Sequence, residues 1–163
     1  MSSFVEINVL MVCLGNICRS PTAHGVLLKK VKNKKLENII KVDSAGTGDW
    51  HIGSNPDPRS IAAAARRGYN IGHFKARQVH NSDFARFDYI LAMDRNNQSD
   101  LDKRASRVSK KKIELLLDYG STEHKVVPDP YYSGEQGFEL VLDLIEEASV
   151  NFLETIITHH KLT

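Results

Sequence analysis

The sequence predicts a single-domain α/β fold: a doubly wound parallel sheet with helices on both faces. Three observations predict it. Short apolar runs of strand type alternate with longer segments of helical period along the chain. The 163 residues fit one domain, and no repeat or Gly/Ser/Pro-rich linker divides residues 1–163. The first apolar run stops at Gly15-Asn16, and a proline-led helical segment follows, giving a strand, a tight loop and a helix. In such sheets a ligand sits at the carboxyl ends of the strands, where the strand order reverses.

The elements follow in order. Glu6–Val12 ends in Leu10, Met11 and Val12 and reads as a buried strand. Pro21 opens a helix at about its first position, where its missing N–H costs nothing, and Leu27, Leu28 and Val31 follow at helical spacing. Ile39–Ala45 is a second strand. Pro58–Arg67, rich in alanine, is a helix stopped by Gly68. Phe87–Met93 is the clearest strand, Asp94–Arg104 a helix, and Ile113–Leu117 a short strand. Phe138, Val141, Leu142, Ile145, Phe152 and Ile156 form the apolar stripe of a long closing helix. His159 and His160 read as its frayed end.

Composition excludes several classes. Lys and Arg number 22 against 20 Asp and Glu, so bulk charge gives no pull toward nucleic acid. The lysine cluster from Lys29 to Lys35 and the basic run from Arg104 to Lys112 read as solvated helix faces and ends. No run approaches the roughly 18 apolar residues of a membrane span. The first residues carry Glu6 and Asn8 without a basic start, so the chain is expected in the cytoplasm with reduced cysteines.

Both cysteines fall in one loop, "CLGNICRS", from Cys13 to Ser20. A loop feeding a helix N-terminus offers unpaired N–H groups and the positive end of a dipole, which invites an anion. Gly15 and Asn16 tolerate the backbone angles that curl a loop around an oxyanion. The second glycine and the lysine of a Walker A loop are absent. Arg19 supplies a planar fork for two phosphate oxygens. A cysteine at the base of this cradle is expected as the thiolate, the nucleophilic form. Ser20 can donate its hydroxyl to that sulfur. A cysteine that merely fills core would explain Cys13 alone, but not its neighbours. Two cysteines without a Cys-x-x-Cys or a histidine pair are too few for zinc.

"VCLGNICRSPTA", Val12–Ala23, resembles the Cys-x5-Arg-Ser signature of the low-molecular-weight protein tyrosine phosphatase family. "VPDPYY", Val127–Tyr132, is similar to the family's Asp-Pro loop. "DSAGTGDWHIG", "HFKARQV" and "DYILAMDRNN" match between them, in order. The resemblance implies a four-stranded parallel sheet with the phosphate-binding loop between the first strand and first helix. It also implies two-step hydrolysis through a phosphocysteine, with no metal or other cofactor. Cys13 would be the nucleophile, and Arg19 and the loop N–H groups the phosphate binders. Asp129 would be the general acid and then the base. Leu14, Gly15, Asn16, Ile17, Cys18, Ser20 and His73 would form and support the loop. Trp50 and Tyr131 would wall a slot deep enough for phosphotyrosine. Cys18 would act as a redox guard of Cys13, and Tyr131 or Tyr132 could itself be phosphorylated. The expected partner is a phosphotyrosine protein, with inorganic phosphate as product and neither nucleic acid nor membrane involved.

Two alternatives share the fold. Thioredoxin-coupled arsenate reductases relay electrons through downstream cysteines, and none follows Cys18 here. Protein arginine phosphatases carry threonine where this loop has Ile17. A phosphate-binding module without catalysis would need neither Cys13 nor Asp129.

Overall fold

The computed structural model describes residues 5–121 and 123–162. Four parallel strands, β1 (Ile7–Cys13), β2 (Ile40–Gly46), β3 (Tyr89–Ala92) and β4 (Ile113–Leu115), lie in the order β2-β1-β3-β4. Five α-helices accompany them: α1 (Arg19–Asn33), α2 (Pro58–Arg66), α3 (Asp83–Arg86), α4 (Arg95–Arg104) and α5 (Glu135–His160). The expected doubly wound sheet is thus present, and the order reverses between β1 and β3. The carboxyl ends of those two strands are where a ligand crevice forms.

β1 is buried on both faces because alternate side chains feed two cores. Ile7, Val9 and Met11 pack with α1, α2 and α5 on one side. Leu10 and Val12 pack with Phe84, Phe87 and Leu101 on the other. The closing helix lays Val141, Ile145, Phe152 and Ile156 into the first core. Phe152 is fully buried and meets the rings of Tyr89 and Tyr119 edge-on, at centroid distances of 5.3 and 5.0 Å.

Several boundaries differ from the sequence reading. Helix α1 starts at Arg19, two residues before Pro21, because the Thr22 N–H closes the first turn on Cys18 O at 3.3 Å. Pro21 still falls in the first turn, where no N–H is required. Strand β4 ends at Leu115, and a 3₁₀ turn over Leu116–Tyr119 swings Leu116 and Leu117 into the core under α5. β3 is shorter than Phe87–Met93, since Phe87 caps α3, a helix the sequence reading did not include. His160 is no frayed end: the helix runs through it, and its Nε2 lies 2.9 Å from Tyr89 Oη.

Phe152 joins β3, α5 and the turn after β4. Phe152→Ala is expected to lower the unfolding free energy by about 3–5 kcal/mol. Urea unfolding reads this as a lower midpoint at unchanged slope.

Candidate active site

The loop from Leu14 to Cys18 connects β1 to α1 at the sheet's point of reversal. Its curl rests on Asn16, the one non-glycine residue of the loop with positive φ, at 56°. Asparagine accepts that left-handed conformation at low cost. The Asn16 backbone N–H points at Cys13 Sγ from 3.3 Å. Its side-chain Oδ1 accepts the Arg77 N–H at 3.0 Å, which leaves Nδ2 to donate to Ser20 Oγ at 2.7 Å. Because a backbone N–H can only donate, the Arg77 contact fixes which way the amide faces. Ser20 Oγ then lies 3.0 Å from Cys13 Sγ and 3.4 Å from Ala45 O, with its own hydrogen free for either.

Neighbouring chain braces the loop from outside. Thr47 and Gly48 donate to Cys13 O and Leu14 O, both at 2.9 Å. A side chain at Gly46 would stand 2.7 Å from Leu14 O, so that close approach requires glycine. Arg77 is itself clamped, its guanidinium bonded to both Asp43 and Asp83.

Arg19 is almost fully buried. Its Nη1 donates to Asp94 Oδ2 at 2.6 Å and Val127 O at 3.1 Å, and its Nη2 lies 3.9 Å from Asp129 Oδ2. Burial works against the guanidinium charge. The Cys13 sulfur and the Asp94 and Asp129 carboxylates outweigh it and hold the Arg19 pKa above its ordinary value. Asp94 also caps α4, exchanging bonds with Asn97. The end of β3 therefore orients the arginine that serves the end of β1.

Cys13, Arg19 and Asp129 open into one cavity of about 300 Å³. Leu14, Gly15, Ile17 and Cys18 of the loop also line it, and the exposed Trp50, Tyr131 and Tyr132 stand at its rim. Trp50 is 69% exposed, so it is rim rather than core. The Asp129 side chain is about half exposed, and its Oδ1 accepts the Tyr131 N–H at 3.0 Å. Cys18 shares this cavity with Cys13. Burial pushes its thiol up to about 12, against a hydrogen bond to Ser60 that pulls it down.

One expected loop support is misplaced. His73 is exposed, its ring edge-on to Phe74, and among the described residues it makes no hydrogen bond to the loop. Asn16 Oδ1 instead accepts the Arg77 main-chain N–H. The buried histidine nearby is His24, stacked on Phe74 at 4.0 Å with Nδ1 3.0 Å from Ser44 Oγ. His51, Asp94 and Arg77 also belong to the site or its supports and were not singled out. Asp94 opens the expected helix Asp94–Arg104, but nothing local to it signals an arginine 75 residues away.

Comparison with known proteins places this geometry in context. The family model described as low molecular weight phosphotyrosine protein phosphatase matches residues 8–162. The pig (Sus scrofa) protein of that description is 40% identical over 96% of this chain and 99% of its own. The human (Homo sapiens) protein is 42% identical, over 90% and 94%. Among solved structures, a protein tyrosine phosphatase from Entamoeba histolytica superimposes with a TM-score of 0.91 at 40% identity, covering 96% of this chain and 99% of its own. A drosophila arginine phosphatase superimposes with 0.84 at 34% identity, covering 90% and 96%.

His24 generates a pH prediction. Burial lowers its pKa from 6.5 to about 4; Asp43 opposes this, and His73 and Arg77 add to it. The unfolded chain takes up the proton near pH 6.5 and the folded chain only near pH 4, so stability is full above 6.5 and declines as pH falls through that interval. The loss attributable to His24 reaches at most about 3 kcal/mol. His24→Gln removes the titration and is expected to flatten the decline, read by urea unfolding across that pH range. An unchanged slope would assign the acid sensitivity elsewhere.

Proposed function

We infer that this chain, which belongs to the low molecular weight phosphotyrosine protein phosphatase family, hydrolyses phosphotyrosine in two steps on Cys13. The observation that carries the assignment of roles is the meeting of Cys13, Arg19 and Asp129 in one cavity. In the first step Cys13 Sγ attacks phosphorus in line, forming the S–P bond as the aryl P–O bond breaks. Asp129 gives its proton to the departing phenolate oxygen. Arg19 and the loop N–H groups hold the equatorial oxygens and offset their charge. In the second step the Asp129 carboxylate takes a proton from water, whose oxygen attacks phosphorus and displaces the Cys13 thiolate. The Ser20 hydroxyl, 3.0 Å from the sulfur, supports the thiolate that leaves.

Substrate choice follows from depth and from the cavity's lining. Trp50 and Tyr131 stand at the rim, above the level of Cys13, and suit an aryl ring between them. The likeness to an arginine phosphatase shows that the fold alone does not choose phosphotyrosine over phosphoarginine. Ile17 in the lining supports the aryl reading, since it offers no hydroxyl to a phosphoramidate. The substrate is then a phosphotyrosine protein in the cytoplasm and the product inorganic phosphate. Cys18, in the same cavity, is the partner proposed for an oxidised Cys13. Its high thiol pKa makes it a slow one, because the thiolate is the attacking form.

The general acid is tested by leaving groups. Cys13→Ser is expected to abolish turnover. Asp129→Asn is expected to lower kcat/KM far more for phenyl phosphate than for p-nitrophenyl phosphate, whose anion leaves with less help. Equal losses on both substrates would remove Asp129 from the role.

A further inference from the structure

The Asp-Pro loop has few ways to stay in place. Pro128 and Pro130 flank Asp129 and supply no N–H donors. Upstream, the loop is anchored at Val127, through Met93 O at 2.8 Å and Arg19 at 3.1 Å. Downstream, Ser133 bonds back to Pro130 O through both its N–H and its hydroxyl. Between these, Asp129 sits half exposed and must reach a leaving oxygen over Cys13. What holds its distal side is Arg59, a residue of α2 outside the catalytic set.

We propose that Arg59 is a positioning residue that ties the general-acid loop to the phosphate-binding loop, setting where the Asp129 carboxyl stands over Cys13. Four links make the tie. Asp57 N–H donates to Ile17 O of the phosphate loop at 2.8 Å. The Asp57 carboxylate takes Arg59 Nε at 3.0 Å and Nη2 at 2.8 Å. Arg59 Nη1 donates to Tyr131 O at 2.8 Å. The Tyr131 N–H donates to Asp129 Oδ1 at 3.0 Å. The guanidinium also lies 5.2 Å from the Tyr131 ring centroid and 4.9 Å from that of Phe138, within cation–π range of both. One planar fork thus grips Asp57 with two nitrogens and the acid loop with a third, which a lysine cannot reproduce.

The inference rests on the proposed role of Asp129, and the test separates the two. The measured kcat/KM reports the first step, which needs the Asp129 proton, and small displacements of the acid are costly there. Arg59→Ala is expected to lower kcat/KM for phenyl phosphate by about tenfold or more and for p-nitrophenyl phosphate by less than about threefold. The inhibition constant for inorganic phosphate should not move, because the cradle is intact. On phenyl phosphate, Asp129→Asn/Arg59→Ala should be no slower than Asp129→Asn alone, since a missing acid cannot be misplaced. If Arg59→Ala does not fold, Arg59→Lys keeps charge and stem without the fork, and the same change of ratio is expected. Equal losses on both substrates, a full additional loss in the double variant, or a wild-type ratio in folded Arg59→Lys would overturn the proposal. Asp129→Asn without a leaving-group effect would instead overturn the role of Asp129.

Discussion

The buried side-chain amide of Asn16 is the joint on which the site depends. Its carbonyl accepts the Arg77 N–H, its NH₂ donates to Ser20, and its own backbone N–H faces the Cys13 sulfur. These contacts tie the loop after β1 and the adjoining first turn of α1 to the distant segment beyond α2. The same residue carries the left-handed φ that turns the loop inward. Glycine could adopt that φ but would leave the part-buried Arg77 N–H without its acceptor, at about 1–3 kcal/mol, and Ser20 Oγ without the donor that Nδ2 supplies. Asparagine satisfies backbone geometry and hydrogen bonding together.

Charge is balanced around the joint rather than minimised. Arg19 is buried among Asp94, Asp129 and the Cys13 sulfur, and no single partner neutralises it. Asp94 sets the direction of the guanidinium while serving as the cap of α4, so a helix start doubles as an arginine holder. On the proposed reading, a dianionic phosphate entering this cavity meets the Arg19 guanidinium and the Asn16 N–H. A fixed array of that kind needs little reorganisation as the reaction proceeds. Arg59 extends the same logic outward, placing the half-exposed acid by contacts from an element that is already packed.

How much of this is legible in the sequence depends on how far each cause reaches along the chain. Strand and helix periods, the loop with Gly15 and Asn16, and the family resemblance through Cys13 and Arg19 are local patterns, and the fold follows them. Asp129 was reachable only through the resemblance, because Asp-Pro is otherwise an ordinary turn. Asn16 and Ser20 were named, but the long-range supports were missed. Arg77 acts on Asn16 through its main chain, which no side-chain motif advertises. His73 was implied by the family resemblance, yet it is exposed while Phe74 stacks on His24. Leu116 and Leu117 read as strand, but the pull of the α5 core bends them into a turn.

The central claim is that phosphoryl transfer passes through the Cys13 sulfur. The most direct measurement is rapid acid quenching of the wild type during turnover of p-nitrophenyl phosphate, followed by peptide mass mapping. The account predicts one phosphoryl group on the peptide containing Cys13, localised to the Cys13 sulfur, and none in Cys13→Ser. Rapid turnover with no phosphoryl group on Cys13 at any quench time, or with the group on another residue, would contradict it.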